Sequence, residues 1–252
     1  MSVRKLLAAA VLAVVAATGL SACSSDADPN VLKVGTEGTY APFSYQDNGT
    51  LTGYDVEVAQ AIGEKLGKRV EFVQTPWDSI FAGLESQRFD LVANQVTVNP
   101  ERTAKYSLSQ PYTTSEGVIV TKSDNTTITS LADLSGKTTA QSATSNWGKV
   151  AAGAGAKVEA VEGFVQAVQL LKAGRVDATV NDTLAVGEYT KKTGDTGIKI
   201  AGKTGETSKQ AFAARKDDAA LIADIDKALE QLRADGTLTR LSEKYFGTDV
   251  SK

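Results

Sequence analysis

The sequence predicts an α/β protein built as two tandem units facing each other across a cleft. Three observations carry that expectation. Segments reading strand, helix, strand, helix, strand fill 31–97, the rhythm repeats from 117 to about 202, and the halves are joined by strand-like crossings near 112–121 and 203–214 rather than by a Ser/Gly linker. A βαβαβ alternation implies a mainly parallel sheet with helices on its faces. The 252 residues suit one or two domains.

In the first unit, "VLKVGT" (31–36) is a short buried-type strand. "EGTYAPFSYQDNGTLTGY" reads as a loop with a turn at Asn48-Gly49. "YDVEVAQAIGEKLG" is a helix with Asp55 as N-cap, an apolar stripe of Val56, Ala59, Ile62 and Leu66, and Gly67 as its stop. "RVEFVQT" alternates as a strand, "WDSIFAGLESQ" is helical with Ile80, Phe81 and Leu84 inward, and "FDLVANQ" is the next strand. The second unit follows with strands "EGVIVTK", "KTTAQS", "KVEAVE" and "VDATVN" among helices "NWGKVAAGAG", "GFVQAVQLLKAG" and "TLAVGEYTKKTG". After "IKIAG", an amphipathic helix over 217–236 carries Leu221, Ile222, Ile225, Leu229 and Leu232, capped by Asp217 or Asp218, and "TLTRLSEKYFG" adds a last helix.

The N-terminus predicts export. Arg4 and Lys5 precede an apolar run to Leu20, too short for the ~20 residues of a spanning helix, and small residues precede Cys23. Removing 1–22 takes away two bases and no acid, leaving the remainder more negative than the full chain's −3. Cys23 is the only cysteine, and exported cysteines normally pair.

Composition excludes several functions. Apolar residues at 42% and charged residues at 23% are ordinary for a globular chain. A net charge of −3 without a basic block argues against nucleic acid. The absence of histidine removes the commonest general base and metal ligand. No Walker loop, metal cluster or nucleophile elbow is present, so no catalytic residue, metal or cofactor is predicted. "GAGAKV" ends a helix and precedes a strand, the reverse of what a dinucleotide loop needs.

Arg102 stands out in "QVTVNPERTAKYSLSQPY". Pro100 starts a short helix just past a strand's C-terminal end, where α/β sheets gather ligands. The guanidinium either grips a carboxylate bidentately or is a solvated charge beside Glu101. Asp182, between a strand and a helix, reads equally as an N-cap and as the counter-charge of an ammonium group. Tyr40, Phe43, Tyr45 and Trp77 lie in or just after loops that follow strands, where aromatics line small-ligand pockets or simply fill core. "SATSN" (142–146) places hydroxyls before a helix, either binding an anion or capping through Thr144 or Ser145.

These residues resemble a known family. "LKVGTEGTYAPFSY", "LTGYDVEVAQAIGEKLG", "WDSIFAGLESQRFDLVANQVTVNPERTAKYSLSQPY", "RVDATVNDTLAVGEY" and the C-terminal "ALEQLRADGTLTRLSEKYFGTDVSK" are similar to the family 3 extracellular solute-binding proteins, receptors of polar amino acid ABC importers, over nearly all of 30–252. The resemblance implies a two-lobed periplasmic-binding-protein-like fold of type II, with a cleft and a two-strand hinge: 31–116 and 207–252 as lobe 1, 117–206 as lobe 2. It implies that Arg102, helped by Thr97 and the Thr144–Ser145 segment, holds a ligand carboxylate. Asp182 takes the amino group, Tyr40 and Trp77 flank the side chain, and Glu37, Asn94 and Gln95 set selectivity. "Leu20-Ser21-Ala22-Cys23" resembles a lipobox, implying a signal peptide over 1–22, a lipidated Cys23 anchored at the outer face of the cell membrane, and a flexible tether over 23–30. The implied partners are an amino acid, a permease and its ATPase, with the receptor a monomer. "GKTTAQSATSNW", "NDTLAV" and "YFGTDVSK" resemble the cystine-binding lipoproteins of Gram-positive importers and favour L-cystine. Glutamine, arginine, histidine or glutamate is the alternative ligand, and a dehydratase-type enzyme on the same fold is the more remote one.

Overall fold

The structure, a computed structural model, describes residues 28–252. The expected signal peptide, Cys23 and the first part of the tether therefore lie outside the described residues.

In chain order the elements are β1 (Val31–Thr36), β2 (Thr39–Tyr40), β3 (Ser44–Asp47), β4 (Thr50–Thr52), α1 (Tyr54–Leu66), β5 (Arg69–Gln74), α2 (Trp77–Glu85), β6 (Leu91–Thr97), α3 (Pro100–Lys105), β7 (Tyr106–Leu108) and β8 (Thr113–Lys122). There follow β9 (Thr138–Gln141), α4 (Asn146–Gly153), β10 (Lys157–Ala160), α5 (Phe164–Lys172), β11 (Thr179–Asp182), α6 (Thr183–Thr193), β12 (Ile198–Arg215), α7 (Ala219–Ala234) and α8 (Thr237–Phe246), with 3-10 turns at Leu131–Leu134 and Lys216–Asp218. Seven strands form one sheet in the order β11-β8-β12-β6-β1-β5, with β7 also on β12. β1 runs parallel to β5 and β6, while β12 is antiparallel to β6, β7 and β8.

Strand alternation divides the chain into two lobes, each a sheet with helices on both faces. In the first, Leu91, Ala93, Phe212 and Ala214 face α1, α7 and α8, whereas Val92 and Ala213 face α2 with Ile80, Leu84 and Phe89. In the second, Val118 and Val120 pack on α5 and Ile119 and Val180 pack on α4. β8 and β12 pass through both lobes side by side. Their pairing is regular from Thr113↔Gln210 to Glu116↔Thr207, slips between Thr207 and Lys203, and resumes to Lys122↔Ile198. A second register shift lies between Ile200 and Gly202.

Several local expectations are corrected. The segment after β1 is not a plain loop but a three-stranded antiparallel sheet, β2-β3-β4, whose hairpin places Asn48 at φ 48 and Gly49 at φ 81, both left-handed as a two-residue turn requires. Asp55 is not the N-cap of α1. Gly53 holds that position, and the Asp55 side chain is fully buried, accepting from the Gln95 backbone N–H at 2.7 Å and Nε2 at 2.6 Å. Asp218 precedes α7 but makes no cap bond, because its carboxylate pairs with Arg215 at 2.6 Å. The expected Pro100 start, the Gly67 stop and the Asp182 cap are all found.

Gly53 is the tightest of these junctions. Its φ is 129, and a Cβ there would stand 2.3 Å from the Phe43 carbonyl oxygen, a backbone atom that cannot step aside. At Gly49 a Cβ would meet nothing within 4 Å. Gly53→Ala is expected to destabilise by about 3 kcal/mol or more and Gly49→Ala by about 1 kcal/mol, measured by denaturant unfolding. Equal losses would show that φ alone matters.

Candidate functional site

The parallel strands of the first lobe end at one edge, where β1 runs into Glu37, β5 leads to Trp77 and β6 leads through Thr97 to α3. Asn99 caps α3, its Oδ1 accepting from the Arg102 N–H at 2.9 Å, and Pro100 occupies the first turn. The cap aims Arg102 back over the sheet. The residue is 8% exposed. Its Nη1 donates to the Thr97 carbonyl at 3.0 Å, and its guanidinium lies 5.1 Å from the Trp77 ring and 5.6 Å from the Phe81 ring. Glu101, the neighbour that a solvated arginine would pair with, turns instead to Lys149 and Lys105. Among the described residues no carboxylate lies within ion-pair distance of Arg102. Burial lowers its pKa to about 10, which leaves it cationic at neutral pH.

Asp182 ends β11 in the other lobe, where its Oδ1 accepts from the Leu184 and Ala185 N–H groups, each at 2.9 Å, and so caps α6. Its Oδ2 takes the Tyr40 hydroxyl from across the cleft at 3.2 Å, and the same hydroxyl lies 2.9 Å from Asn181 Oδ1. The Asp182 side chain is buried, which raises its pKa. The N-cap reading of the sequence is thus found, and the second oxygen turns to Tyr40.

Between the lobes lies a pocket of about 650 Å³, mouth included. Of the residues singled out in the sequence, Glu37, Tyr40, Trp77, Asn94, Gln95, Thr97, Arg102 and Ser145 line it. Asp182 sits behind Asn181, and Thr144 stays outside. Thr144 donates through both its N–H (3.0 Å) and its hydroxyl (2.7 Å) to Asp78 Oδ1 on α2. Ser145 caps α4, accepting from Gly148 N–H at 2.9 Å. Glu37 and Asn94 hold each other: Asn94 Nδ2 donates to the carboxylate at 2.5 Å and Asn94 Oδ1 accepts the Glu37 N–H at 2.9 Å. Burial pushes the Glu37 carboxyl up to about 7. Gln95 Nε2 is committed to Asp55, and its Oε1 and the Trp77 Nε1 are buried without a partner among the described residues.

Ser142 and Asn146 of the "SATSN" segment line the pocket as well, whereas sequence reasoning missed Gln141, Glu162, Phe164 and Asn181, which line it from the second lobe. Gln141 and Asn181 stand at strand ends and were open to the same rule that found Arg102. Glu162 and Phe164 sit at the start of α5 and carried no such signal. The charged lining is thus Arg102 and Glu37 from the first lobe and Glu162 from the second, together with aromatic rings and amides. This suits a small polar molecule with separated opposite charges. No cluster among the described residues could hold a metal ion.

Comparison with known proteins places the chain in a family. The L-cystine-binding protein TcyA of Bacillus subtilis (strain 168) is 54% identical over 224 residues, 88% of this chain and 83% of the relative. An ancestral arginine-binding protein bound to arginine is 40% identical and superposes with a TM-score of 0.81, over 86% of this chain and 99% of that one. The L-cystine solute receptor of Neisseria gonorrhoeae in its unliganded open conformation is nearer in sequence, at 47%, yet superposes with a TM-score of 0.60, over 88% of this chain and 95% of that one. The match to the family description covers residues 32–248, from β1 to just past α8, and the chain belongs to the bacterial extracellular solute-binding proteins, family 3.

Proposed function

We propose that this chain is the receptor of an amino acid ABC importer, capturing L-cystine by closure of its lobes and delivering it to a membrane permease coupled to an ATPase. The observation that carries the proposal is Arg102, a buried cation facing the pocket with no carboxylate within ion-pair distance among the described residues. A zwitterion is strongly hydrated, and taking it out of water costs several kcal/mol unless both charges are met. Arg102 meets a carboxylate, and the free hydrogen of the Ser145 hydroxyl adds a donor from the other lobe. Asp182, through the oxygen that now holds Tyr40, meets the amino group, and Tyr40 and Trp77 flank the side chain.

The contacts come from both lobes, so ligand favours the closed state by its differential affinity for it. Cystine has two amino acid ends. The second ammonium fits the Glu37–Glu162 end of the pocket, and the similarity to TcyA supports this ligand. Lobe boundaries at 116/117 and 206/207 belong to the same proposal, since they bracket the slip in the β8–β12 pairing. So do a lipidated Cys23 holding the receptor outside the cell membrane, a monomeric state and the absence of catalysis.

Three outcomes test this. Calorimetry on the soluble chain from Ser24, refolded to strip bound ligand, is expected to give tight binding of cystine and weaker binding of cysteine, glutamine, arginine, histidine and glutamate. Binding of none would overturn the receptor role. Arg102→Ala should cost about 3 kcal/mol or more, over 100-fold in Kd, for every amino acid that binds, and Asp182→Asn, which preserves a cap, should do the same. Loss of one ligand alone would contradict both roles.

Glu37 supplies the pH dependence. Its folded pKa of about 7 lies above the ordinary glutamate value of 4.5, so its contribution to stability is fully present below pH 4.5 and is lost as pH rises through 7. The ligand-free melting temperature should therefore fall over that window, less steeply in Glu37→Gln. Cystine affinity should change in the opposite sense, rising with pH as the carboxylate forms, and this slope should flatten in the same variant.

A further inference from the structure

Two hydrogen-bonded contacts cross the cleft to the start of α4 without touching the pocket. Asp78 Oδ1, in the first turn of α2, accepts the N–H and hydroxyl of Thr144, 66 residues away, at 3.0 and 2.7 Å. Glu101, in the first turn of α3, pairs with Lys149 of α4, 48 residues away. None of the four residues lines the pocket, yet three are chain neighbours of residues that do: Asp78 follows Trp77, Glu101 precedes Arg102, and Thr144 precedes Ser145. Together the two acids grip α4 just before its start and within its first turn, the part that carries Asn146 and Trp147 into the pocket. Of the other contacts between the lobes, the Lys192 ammonium lies 4.6 Å from the Tyr45 ring, while Tyr40 with Asn181 and Asp182 uses residues of the site itself and is changed by whatever fills it.

We infer that the Asp78–Thr144 and Glu101–Lys149 contacts are a ligand-independent seam that sets the resting balance between open and closed lobes, and so scales the affinity for all ligands by one common factor. The inference rests on the receptor reading. Closure forms these bonds whatever the ligand is, and opening breaks them. Removing them therefore lowers the fraction of closed protein, and the apparent Kd rises by that fraction while the ranking of ligands stays fixed. All four side chains are solvent-exposed, so each contact is weak and salt-sensitive. A weak seam tilts the balance without locking it, which leaves the lobes free to reopen at the transporter.

The test uses the soluble chain from Ser24 with Asp78→Ala/Glu101→Ala, and Asp78→Asn as the conservative control, since its amide oxygen still accepts from Thr144. Small-angle X-ray scattering of the ligand-free protein should show a larger radius of gyration in the double alanine variant. Its Kd for L-cystine and for any second amino acid that binds should rise by the same factor, roughly 3- to 10-fold at low salt, mainly through faster dissociation. Asp78→Asn should retain most of the wild-type affinity. Unchanged scattering overturns the seam. So does a loss confined to one amino acid, which would make Asp78 a pocket residue, or Asp78→Asn failing as badly as alanine. If no amino acid titrates even with the unaltered chain, the receptor reading fails, while the ligand-free scattering still decides whether the seam exists.

Discussion

A guanidinium taken out of water without an anion is the constraint on which the rest of this structure depends. Arg102 is held by one carbonyl, from Thr97, and by the faces of Trp77 and Phe81. Those contacts fix its direction without cancelling its charge. The nearest acid in sequence, Glu101, is drawn to lysines, one of them on the opposite lobe. A buried charge left uncompensated is costly, and a folded protein keeps one where a charged partner completes it from outside. The Asn99 cap, the Pro100 start and the end of β6 all act to hold that charge at the cleft.

Carboxyl groups from both lobes answer it, and burial disfavours their ionisation. Asp182 and Glu37 both have raised pKa values because the cleft screens them from water. Asp182 does two jobs with two oxygens, capping α6 and facing Tyr40. A helix cap makes a sound foundation for a site, because the N–H groups that satisfy the helix also fix the carboxylate's position.

Between these charges, β6 is bent on purpose. Gln95 has φ 49 in mid-strand, a strained value for a residue with a side chain, and its backbone N–H is pinned by the fully buried Asp55. The bend lies between Asn94, which holds Glu37, and Thr97, which holds Arg102. One buried carboxyl on α1 thereby spaces the acidic and basic ends of the pocket, although it touches neither.

Much of this was legible in the sequence where the signal is local. The order of helices and strands, the Pro100 start, the Gly67 stop and the Asp182 cap depend on residues within a turn of one another, and the strand-end rule located Arg102. What failed was decided at a distance. Asp55 looks like a cap until β6 packs on α1 and Gln95 claims it, and Thr144 looks like a site hydroxyl until α2 brings Asp78 across the cleft. Gln141, Glu162 and Phe164 become pocket residues only when the second lobe swings over the first. Backbone propensity and capping act over three or four residues and are written in the chain itself. Burial, and the partner each polar group finds when water is removed, depend on elements forty or more residues apart, and only the packed tertiary structure decides them.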